Sequence, residues 1–402
     1  MLRRLAIVSH TLPPSPGGQA TMIERLLLGG EAPQPVLLCS DRKASGPADA
    51  RPQSWLRCHT PWVLRKLRQF RRLHAAVFGA DVRSRSLRIA HAAHAAGCHA
   101  IVACTGGDLI DLPAAVAAGR QASLPVFLHY FDDYRFQWRI PNPAWHEETA
   151  AAIGESVEAG VLEHAAGVIV PNEILADDVR ARTGVPVAVI RNPIDTELAA
   201  RLRRDAEASP PLVPGERTVL YTGSVYEAQG DALRRCAAAI EMLRHRGHAL
   251  RLHVYTAEPV ERVRAQQLPP SVVIHSSVSG TESATLQTRA DILFLPLGFQ
   301  TRYPELIRSS APGKFGEYLA SGRPMLVHAP ADSFPAHYAA RFSCGAVCDQ
   351  PATELLAATL LRLLEDETWT KGLVERAVAA STEFAVATNR QAYQAFIESH
   401  IR

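Results

Sequence analysis

The chain has 402 residues, of which 47% are hydrophobic, and its formal net charge at pH 7 is +3. This length predicts two domains of similar size, each with enough apolar residues to bury a core. No apolar run approaches the ~20 residues of a membrane-spanning helix. The excess of basic residues is confined to residues 51–90, which argues against a nucleic-acid-binding protein with charge spread over a broad face.

The N-terminal segment starts with basic residues but contains only a short apolar stretch, which ends at Pro13 and Pro14. We interpret it as a buried first strand rather than a signal peptide. The seven cysteines are scattered, and no pair has the two-residue spacing of a zinc or redox site. The sequence therefore predicts reduced thiols, no metal site and a cytoplasmic protein.

Short apolar runs alternate with helical patterns along the chain. The predicted strands are Leu5–Ser9, Pro35–Cys39, Ala100–Cys104, Val126–His129, Gly167–Val170, Val187–Ile190, Thr218–Thr222, Arg251–Tyr255, Val272–His275, Asp291–Leu295 and Met325–His328. Runs that are apolar throughout are typical of strands covered on both faces in parallel sheets. The predicted fold class is therefore α/β, with two Rossmann-like domains.

Helix boundaries are marked by capping residues. Ser279 and Glu282 have the spacing of a capping box, and Gly247 and Gly322 stand where a left-handed residue ends a helix, the first of them after a helix predicted from Asp231 to Arg246. The strand–helix alternation restarts after residues 205–217, which we interpret as a linker or exposed loop. We predict an N-terminal domain of residues 1–193, a C-terminal domain of 194–380, and a C-terminal helix in 381–402 that packs back on the first domain.

Ligands of open parallel sheets bind at the carboxyl ends of the strands. Two glycine-containing loops follow predicted strands there: one contains Gly17 and Gly18, and the other contains Gly223 and Ser224. Glycine lets the backbone approach a phosphate closely, and a following helix offers free N–H groups. An ordinary turn is the alternative for each loop.

The segment 310–324, SAPGKFGEYLASGRP, is the most informative. Pro312 and Gly313 begin a short helix in which Lys314 and Glu317 share one face. A cation at a helix N-terminus opposes the helix dipole, which an anionic ligand at the same point would explain. A simple surface pair between the two charges is the alternative.

This segment resembles the nucleotide-sugar motif of family-four-like glycosyltransferases (glycosyl transferases group 1), which have the GT-B fold. The segments 9–20, 189–195, 222–230 and 291–296 resemble other parts of that family in the same order. The resemblance implies two Rossmann-like domains facing across a cleft, a nucleotide-sugar donor, and no cofactor.

The resemblance also implies roles for individual residues. Glu317 would hold the ribose hydroxyls, and Lys314 would lie near the phosphates. Gly18 and Gly223 would lie beside the diphosphate, and Ser277 and Val278 near the base. Gly17 and Ser224, next to these glycines, are donor-binding candidates from the loops themselves. His129 would lie in the active site near the donor sugar; a structural histidine at a strand end is the alternative.

The sequence departs from the family pattern at two places. Ser309 stands where many relatives carry a glutamate, although Glu305 and Arg308 are close to it. Ser224 and Gln229 stand in the loop where many relatives carry an arginine and a lysine. The negative charge of the phosphates would then be balanced by Lys314, Arg308 and helix N-termini.

The mechanism that the resemblance implies is retaining and needs no metal ion, because N–H groups and a cation can stabilise a leaving diphosphate. Asp132 and Asp133 do not form a metal-binding pair, since neighbouring carboxylates of an extended chain point to opposite sides. We interpret them as acceptor-side or structural residues.

Residues 51–90 contain ten Arg or Lys and a single acid, Asp81. Within this region, residues 61–78 have apolar side chains at helical spacing with basic residues between them. Such a helix can lie on an anionic membrane, and a domain helix with a solvated basic face is the alternative. The first interpretation favours a glycan or lipid-linked acceptor and a peripheral position on the inner membrane face.

The sequence is also compatible with two other functions. The chain could be a GT-B protein that binds a nucleotide sugar without transferring it, or a nucleotide-sugar epimerase of the same fold. The missing glutamate and basic pair favour the first of these, whereas the intact Lys314–Glu317 motif argues against it.

Overall fold

The computed structural model describes residues 3–15, 17–28, 33–40, 55–140, 145–265, 267–269 and 272–401. The chain forms two compact units, Met1–Pro193 with Val386–Arg402, and Ile194–Ala385. The second unit extends beyond the predicted residue 380 because the 3-10 turn Ser381–Phe384 packs on Gly316. None of the helices in the described ranges combines the length and the apolar character that crossing a bilayer requires.

The N-terminal unit contains a seven-stranded sheet in the order β3-β2-β1-β4-β5-β6-β7, and all its strand pairs are parallel. Its strands are β1 (Leu5–Ser9), β2 (Val36–Cys39), β3 (Trp55–Arg57), β4 (Ala100–Cys104), β5 (Val126–His129), β6 (Gly167–Val170) and β7 (Val187–Val189). Its helices are α1 (Gly18–Leu27), α2 (Trp62–Leu67), α3 (His74–Ala95), α4 (Asp111–Ala122), α5 (Tyr134–Gln137), α6 (Glu147–Glu163), α7 (Glu173–Arg180) and, from the end of the chain, α17 (Val386–His400). Apolar clusters cover both faces of the sheet.

The C-terminal unit contains a six-stranded parallel sheet in the order β10-β9-β8-β11-β12-β13. Its strands are β8 (Arg217–Thr222), β9 (Leu250–Thr256), β10 (Val273–Ser276), β11 (Ile292–Pro296), β12 (Met325–His328) and β13 (Ala346–Cys348). Its helices are α8 (Thr196–Glu207), α9 (Glu227–His245), α10 (Val260–Arg264), α11 (Gly280–Arg289), α12 (Pro304–Arg308), α13 (Gly313–Ala320), α14 (Phe334–Phe342), α15 (Thr353–Glu365) and α16 (Glu367–Ala380).

The predicted α/β class with two parallel sheets is confirmed, and each predicted strand is present with ends that differ by at most one residue. The strands are recognisable because their side chains are buried on both faces; all five residues of β4, for example, are buried. The sequence missed β3 and β13, which have three residues each and lie at sheet edges. Such short strands carry too few residues for a periodic pattern.

The predicted helix boundaries are confirmed where they rest on capping residues. Ser279 Oγ accepts a hydrogen bond from Glu282 N at 3.2 Å, and Gly247 and Gly322 have φ of 92° and 75°. Two boundaries were wrong. Helix α9 begins at Glu227 rather than at Asp231. Helix α8 continues to Glu207, so the first three residues of the predicted loop 205–217 are helical.

The amphipathic helix predicted over residues 61–78 is wrong as a single element. Helix α2 ends at Leu67 and α3 begins at His74. Between them, the backbone N–H groups of Phe70 and Leu73 bond three residues back, as in tight turns. Arg68, where α2 ends, is buried and forms an ion pair with Asp81 of α3 at 3.1 Å.

Candidate functional site

The first turn of α13 carries Lys314, whose ammonium group lies against the end of β8. Lys314 Nζ donates a hydrogen bond to Tyr221 Oη at 3.2 Å and lies 4.5 Å from the centre of the same ring. Gly223 follows β8 with φ of 146°, and a Cβ atom there would collide with Lys314 Nζ. The structure therefore brings the predicted residues Lys314 and Gly223 into contact, and it explains why the loop needs a glycine.

The Lys314 ammonium is partly buried. Burial lowers its pKa to about 8, and the carboxylate of Glu317, one turn along α13, acts in the opposite direction. Desolvation disfavours the charged form of a lysine. An anion next to Nζ would favour the ammonium, so the position suits a ligand that carries negative charge.

Glu317 is oriented by a glutamine that the sequence analysis missed. Gln287 on α11 is almost fully buried, and its Nε2 lies 3.3 Å from Glu317 Oε2 and 3.3 Å from Thr222 Oγ1. Tyr318 Oη in turn accepts a hydrogen bond from Thr222 N at 3.0 Å. Three elements of the C-terminal unit thus fix the carboxylate beside the end of β8.

The segment that follows β11 is fixed on the start of α9. Asp231 Oδ2 accepts hydrogen bonds from the backbone N–H groups of Phe299 and Gln300 at 3.1 and 3.2 Å. Gly298 N donates to Ala228 O at 2.7 Å, and a Cβ at Gly298 would lie 2.9 Å from Asp231 Oδ1. No local sequence pattern marks this role of Asp231, because the residues it holds are 68 and 69 positions away.

Helix α12, between this segment and α13, carries Glu305 and Arg308. Ser309, at the position where the family glutamate was expected, is buried, and its Oγ donates to Glu305 O at 3.2 Å. The Ser309 hydroxyl therefore bonds to the backbone of its own helix, and it is not a carboxylate that could replace the family glutamate.

The remaining predicted donor residues of this unit lie in loops after strands. Ser277 is exposed and Val278 partly buried between β10 and α11, and Ser224 is exposed directly after Gly223. Next to the first of these loops, the ring of His275 stacks on Tyr255 with centres 4.2 Å apart. Ser224, Ser277 and Val278 thus follow the carboxyl ends of strands of the C-terminal sheet, and Tyr255 and His275 lie near the ends of β9 and β10.

In the N-terminal unit, Gly17 caps α1 and Gly18 is its first residue. Neither has a positive φ; a Cβ at Gly18 would meet no atom within 4 Å, whereas one at Gly17 would lie 3.3 Å from Thr11 Cγ2. Gln19 Nε2 donates to Ser9 Oγ and to Thr105 O, both at 2.9 Å. These bonds join the start of α1 to the carboxyl ends of β1 and β4.

His129, the last residue of β5, is only 2% exposed. Its ring stacks on Phe131 with centres 4.3 Å apart and lies 5.8 Å from the ring of Tyr393 on α17. Burial lowers the pKa of His129 to about 3, so the imidazole is neutral at physiological pH. Its Nδ1 is buried without a hydrogen-bond partner among the described residues. A role of His129 at the donor sugar stays a prediction.

The two aspartates that follow β5 differ in environment. Asp133 is buried, caps α5 by accepting Arg135 N at 3.0 Å, and pairs with Arg182 at 3.0 Å, so it is structural. Asp132 is partly exposed, and burial together with the charge of Asp133 raises its pKa. Within the described part of the chain, no group of three or more His, Cys, Asp or Glu side chains could hold a metal ion.

The basic segment divides into a buried and an exposed part. Arg68 and Arg85 are buried and form ion pairs with Asp81, Asp108 and Asp111. The exposed part combines large apolar and basic side chains; it consists of Trp62, Val63, Arg65, Lys66, Phe70, Arg71, Arg72 and Leu73. We call these eight residues the α2 patch.

Residues 216–366, within the C-terminal unit, match the family described as Glycosyl transferases group 1. No curated protein sequence matches the chain significantly. The whole chain is similar in structure to α,α-trehalose 6-phosphate synthase from Burkholderia multivorans, with a TM-score of 0.68, 12% identity and 99% of both chains covered.

Two further solved structures are similar to this chain over nearly its whole length. The UDP-forming α,α-trehalose-phosphate synthase from Burkholderia xenovorans, in complex with glucose-6-phosphate, has a TM-score of 0.69 at 12% identity and 99% coverage of both chains. The sucrose-phosphate synthase from Thermosynechococcus elongatus has a TM-score of 0.64 at 15% identity, with 99% of this chain and 100% of that chain covered. At these identities the shared property is the fold.

Proposed function

We propose that this chain, a glycosyltransferase of the GT-B fold whose C-terminal unit matches glycosyl transferases group 1, transfers a sugar from a nucleotide-sugar donor to a glycan or lipid-linked acceptor. The observation that carries the proposal is the contact of Lys314 with Tyr221 and Gly223 at the end of β8, with Glu317 one turn away. A cation and a helix N-terminus suit a diphosphate, and a fixed carboxylate suits the vicinal hydroxyls of a ribose.

The chemistry follows from the charge that develops during transfer. When the bond between the sugar carbon and the phosphate oxygen breaks, negative charge grows on the leaving diphosphate. Lys314 and the N–H groups at the start of α13 stabilise this charge without rearranging, because both are held by the fold. We propose that the reaction retains the anomeric configuration and needs no cofactor or metal ion, so activity persists in EDTA.

The donor site is tested with a panel of nucleotide sugars and their nucleoside diphosphates. Glu317→Ala weakens nucleotide binding measured by calorimetry, while circular dichroism stays unchanged. Lys314→Ala lowers turnover more than Glu317→Gln does, because it removes the charge that faces the leaving group. Lys371→Ala, an exposed lysine of α16, is the matched control. Unchanged affinity in Glu317→Ala would contradict the site assignment.

The same panel separates the alternative functions by their products. Binding of a donor without hydrolysis or transfer to any acceptor would indicate a nucleotide-sugar-binding scaffold. Interconversion of donor sugars in the absence of an acceptor would indicate an epimerase. Release of nucleoside diphosphate together with a new glycoside supports the transferase.

For the acceptor side, we propose a cytoplasmic enzyme that lies on an anionic membrane through the α2 patch. Trp62 and Phe70 are 57% and 60% exposed. Large apolar side chains among basic ones suit the interface of an anionic bilayer, where each basic residue contributes about 1 kcal/mol.

Vesicle sedimentation tests this part of the proposal. Changing Arg65, Lys66, Arg71 and Arg72 to Gln should reduce the amount of protein that sediments with phosphatidylserine vesicles. Neither wild type nor this variant should sediment with neutral vesicles. Arg68 is left unchanged because it is buried. The control changes four exposed arginines of the C-terminal unit to Gln; they are Arg201, Arg204, Arg246 and Arg262. Equal pelleting of both variants would remove the membrane interpretation.

A further inference from the structure

The loop between β8 and α9 contains no basic residue. Residues 222–230 read TGSVYEAQG, and Gly223 N is already bonded to Tyr255 O at 2.8 Å. A nucleoside diphosphate carries more negative charge than one ammonium group balances. If the proposed function holds, a cation that reaches this loop from elsewhere in the fold would add to the charge of Lys314 and the helix N–H groups.

The neighbouring strand brings such a cation. Strands β8 and β11 pair directly, so the segments that follow them lie side by side at the carboxyl edge of the sheet. In the segment after β11, Arg302 Nη2 lies 3.2 Å from Glu227 Oε2, and Arg302 Nε lies 3.4 Å from Glu227 Oε1. Glu227 is the first residue of α9, four positions after Gly223.

The backbone of this segment is fixed independently of the ion pair. The segment is bonded to the first two turns of α9 at Ala228 O and at the Asp231 carboxylate, through the N–H groups of residues 298 to 300. Arg302 N itself lies 3.4 Å from Glu227 Oε1. The bonds at residues 298 to 300 therefore hold the segment beside the start of α9, and the contacts with Glu227 place Arg302 within it.

We propose that Arg302 is a diphosphate-binding residue, which supplies from the β11 segment the charge that the β8–α9 loop lacks. The planar guanidinium matches the geometry of phosphate oxygens, and Glu227 holds it through Nε and Nη2. Its side chain is 72% exposed, so a ligand at the N-terminus of α9 can reach it. Glu227 has two roles here: its charge suits the helix N-terminus, and it holds Arg302 at the loop.

An exposed Arg–Glu pair without a ligand contributes less than about 1 kcal/mol to stability and nothing to binding. The chain offers a matched control for that case. Arg362 and Asp366, at the end of α15, form a pair of similar exposure with Nε and Oδ2 3.3 Å apart. Replacing either arginine removes the same charge from the same unit, but only Arg302 lies at the proposed donor loop.

The experiment compares wild type, Arg302→Gln and Arg362→Gln by calorimetry. The probes are UDP, GDP, ADP and dTDP, and then the monophosphate of whichever diphosphate binds wild type most tightly. We expect Arg302→Gln to lower the affinity for the diphosphate about tenfold or more, since a charged hydrogen bond is lost. The change for the monophosphate should be less than threefold, and Arg362→Gln should match wild type for both.

The inference rests on the proposed function, but the two fail in different ways. If wild type binds none of the four diphosphates, both are overturned. If Glu317→Ala loses affinity for the diphosphate while Arg302→Gln binds it like wild type, the donor site stands and the role of Arg302 is overturned. An equal loss for diphosphate and monophosphate in Arg302→Gln would also overturn it, because the contact would then not be with the diphosphate.

Discussion

Lys314 is the residue whose charge state most directly controls the candidate site. Its pKa, lowered to about 8 by burial, means that the ammonium predominates at pH 7 and the amine at pH 9. Affinity for a nucleoside diphosphate should therefore fall as pH rises from 7 to 9, by up to about tenfold for each unit above 8. Calorimetry at pH 7, 8 and 9 measures this.

Two lysine variants test the source of this pH dependence. Lys314→Gln should show weak, pH-independent binding, and Lys371→Gln should keep the wild-type profile. A wild-type profile in Lys314→Gln would contradict the assignment.

Gly223 gives a second prediction at this scale. Gly223→Ala introduces a Cβ that collides with Lys314 Nζ, so the ammonium must move and donor affinity should fall at least tenfold. Gly247→Ala is the control, because that glycine also has a positive φ but has no atom within 4 Å of the added Cβ. Both variants carry backbone strain of about 1 kcal/mol and should lose similar thermal stability. Equal donor binding in the two would argue against the contact.

The sequence predicts two residues as neighbours correctly when they are close together along the chain. Lys314 and Glu317 are three positions apart on one helix, so their shared face follows from helical geometry. Gln287, Tyr221 and Asp231 act on groups 30 to 93 positions away. Such contacts depend on which strands are neighbours in the sheet, which a single sequence with two parallel sheets does not specify.

Among the elements, α3 and α4 are joined by buried charges at the carboxyl end of the N-terminal sheet. Arg85 of α3 is 1% exposed and bonds Asp111 of α4, Asp108 and Thr60. Arg68, at the end of α2, pairs with Asp108 as well and with Asp81 of α3. This network explains why part of the basic segment does not face solvent, a point that the spacing of apolar residues alone did not reveal.

Removing one member of the network should be costly. Arg85→Met leaves the Asp108 and Asp111 carboxylates without their main partner, and breaking a buried pair in this way costs about 3–5 kcal/mol. Urea unfolding measures the loss. Arg88→Met, one turn along the same helix at an exposed position, should change the free energy of unfolding by less than about 0.5 kcal/mol. A loss below about 1 kcal/mol in Arg85→Met would show that the network does not stabilise the unit.

For the whole molecule, the main feature is that the last helix belongs to the first unit. Tyr393 and Ile397 of α17 are buried in the apolar cluster that covers one face of the N-terminal sheet. We predicted a C-terminal helix in residues 381–402 that packs back on the first domain, and in the structure the returning segment begins at Val386. The shift arises because residues 381–384 pack within the C-terminal unit.

Tyr393 allows a test of how much this helix contributes. Tyr393→Ala opens a cavity beneath α17 and should destabilise the N-terminal unit by about 3–5 kcal/mol. Tyr393→Phe should be nearly neutral, because the hydroxyl is buried without a partner among the described residues and its loss leaves nothing unsatisfied. Hydrogen exchange at β1, β4 and β5 reports the effect. Equal protection in the Ala variant and wild type would mean that α17 is dispensable for the sheet.

The late position of α17 also bears on how the protein is made. A ribosome releases residues 1–193 long before it reaches Val386, and chains emerge at about 5–20 residues per second. One face of the first sheet, including the ring of Phe127 that later meets Phe396, is therefore uncovered for roughly ten seconds or more, while the complete C-terminal unit is synthesised. During that interval the exposed apolar face is a site at which the nascent chain can aggregate, and residues 194–385 are complete before α17 closes the N-terminal unit.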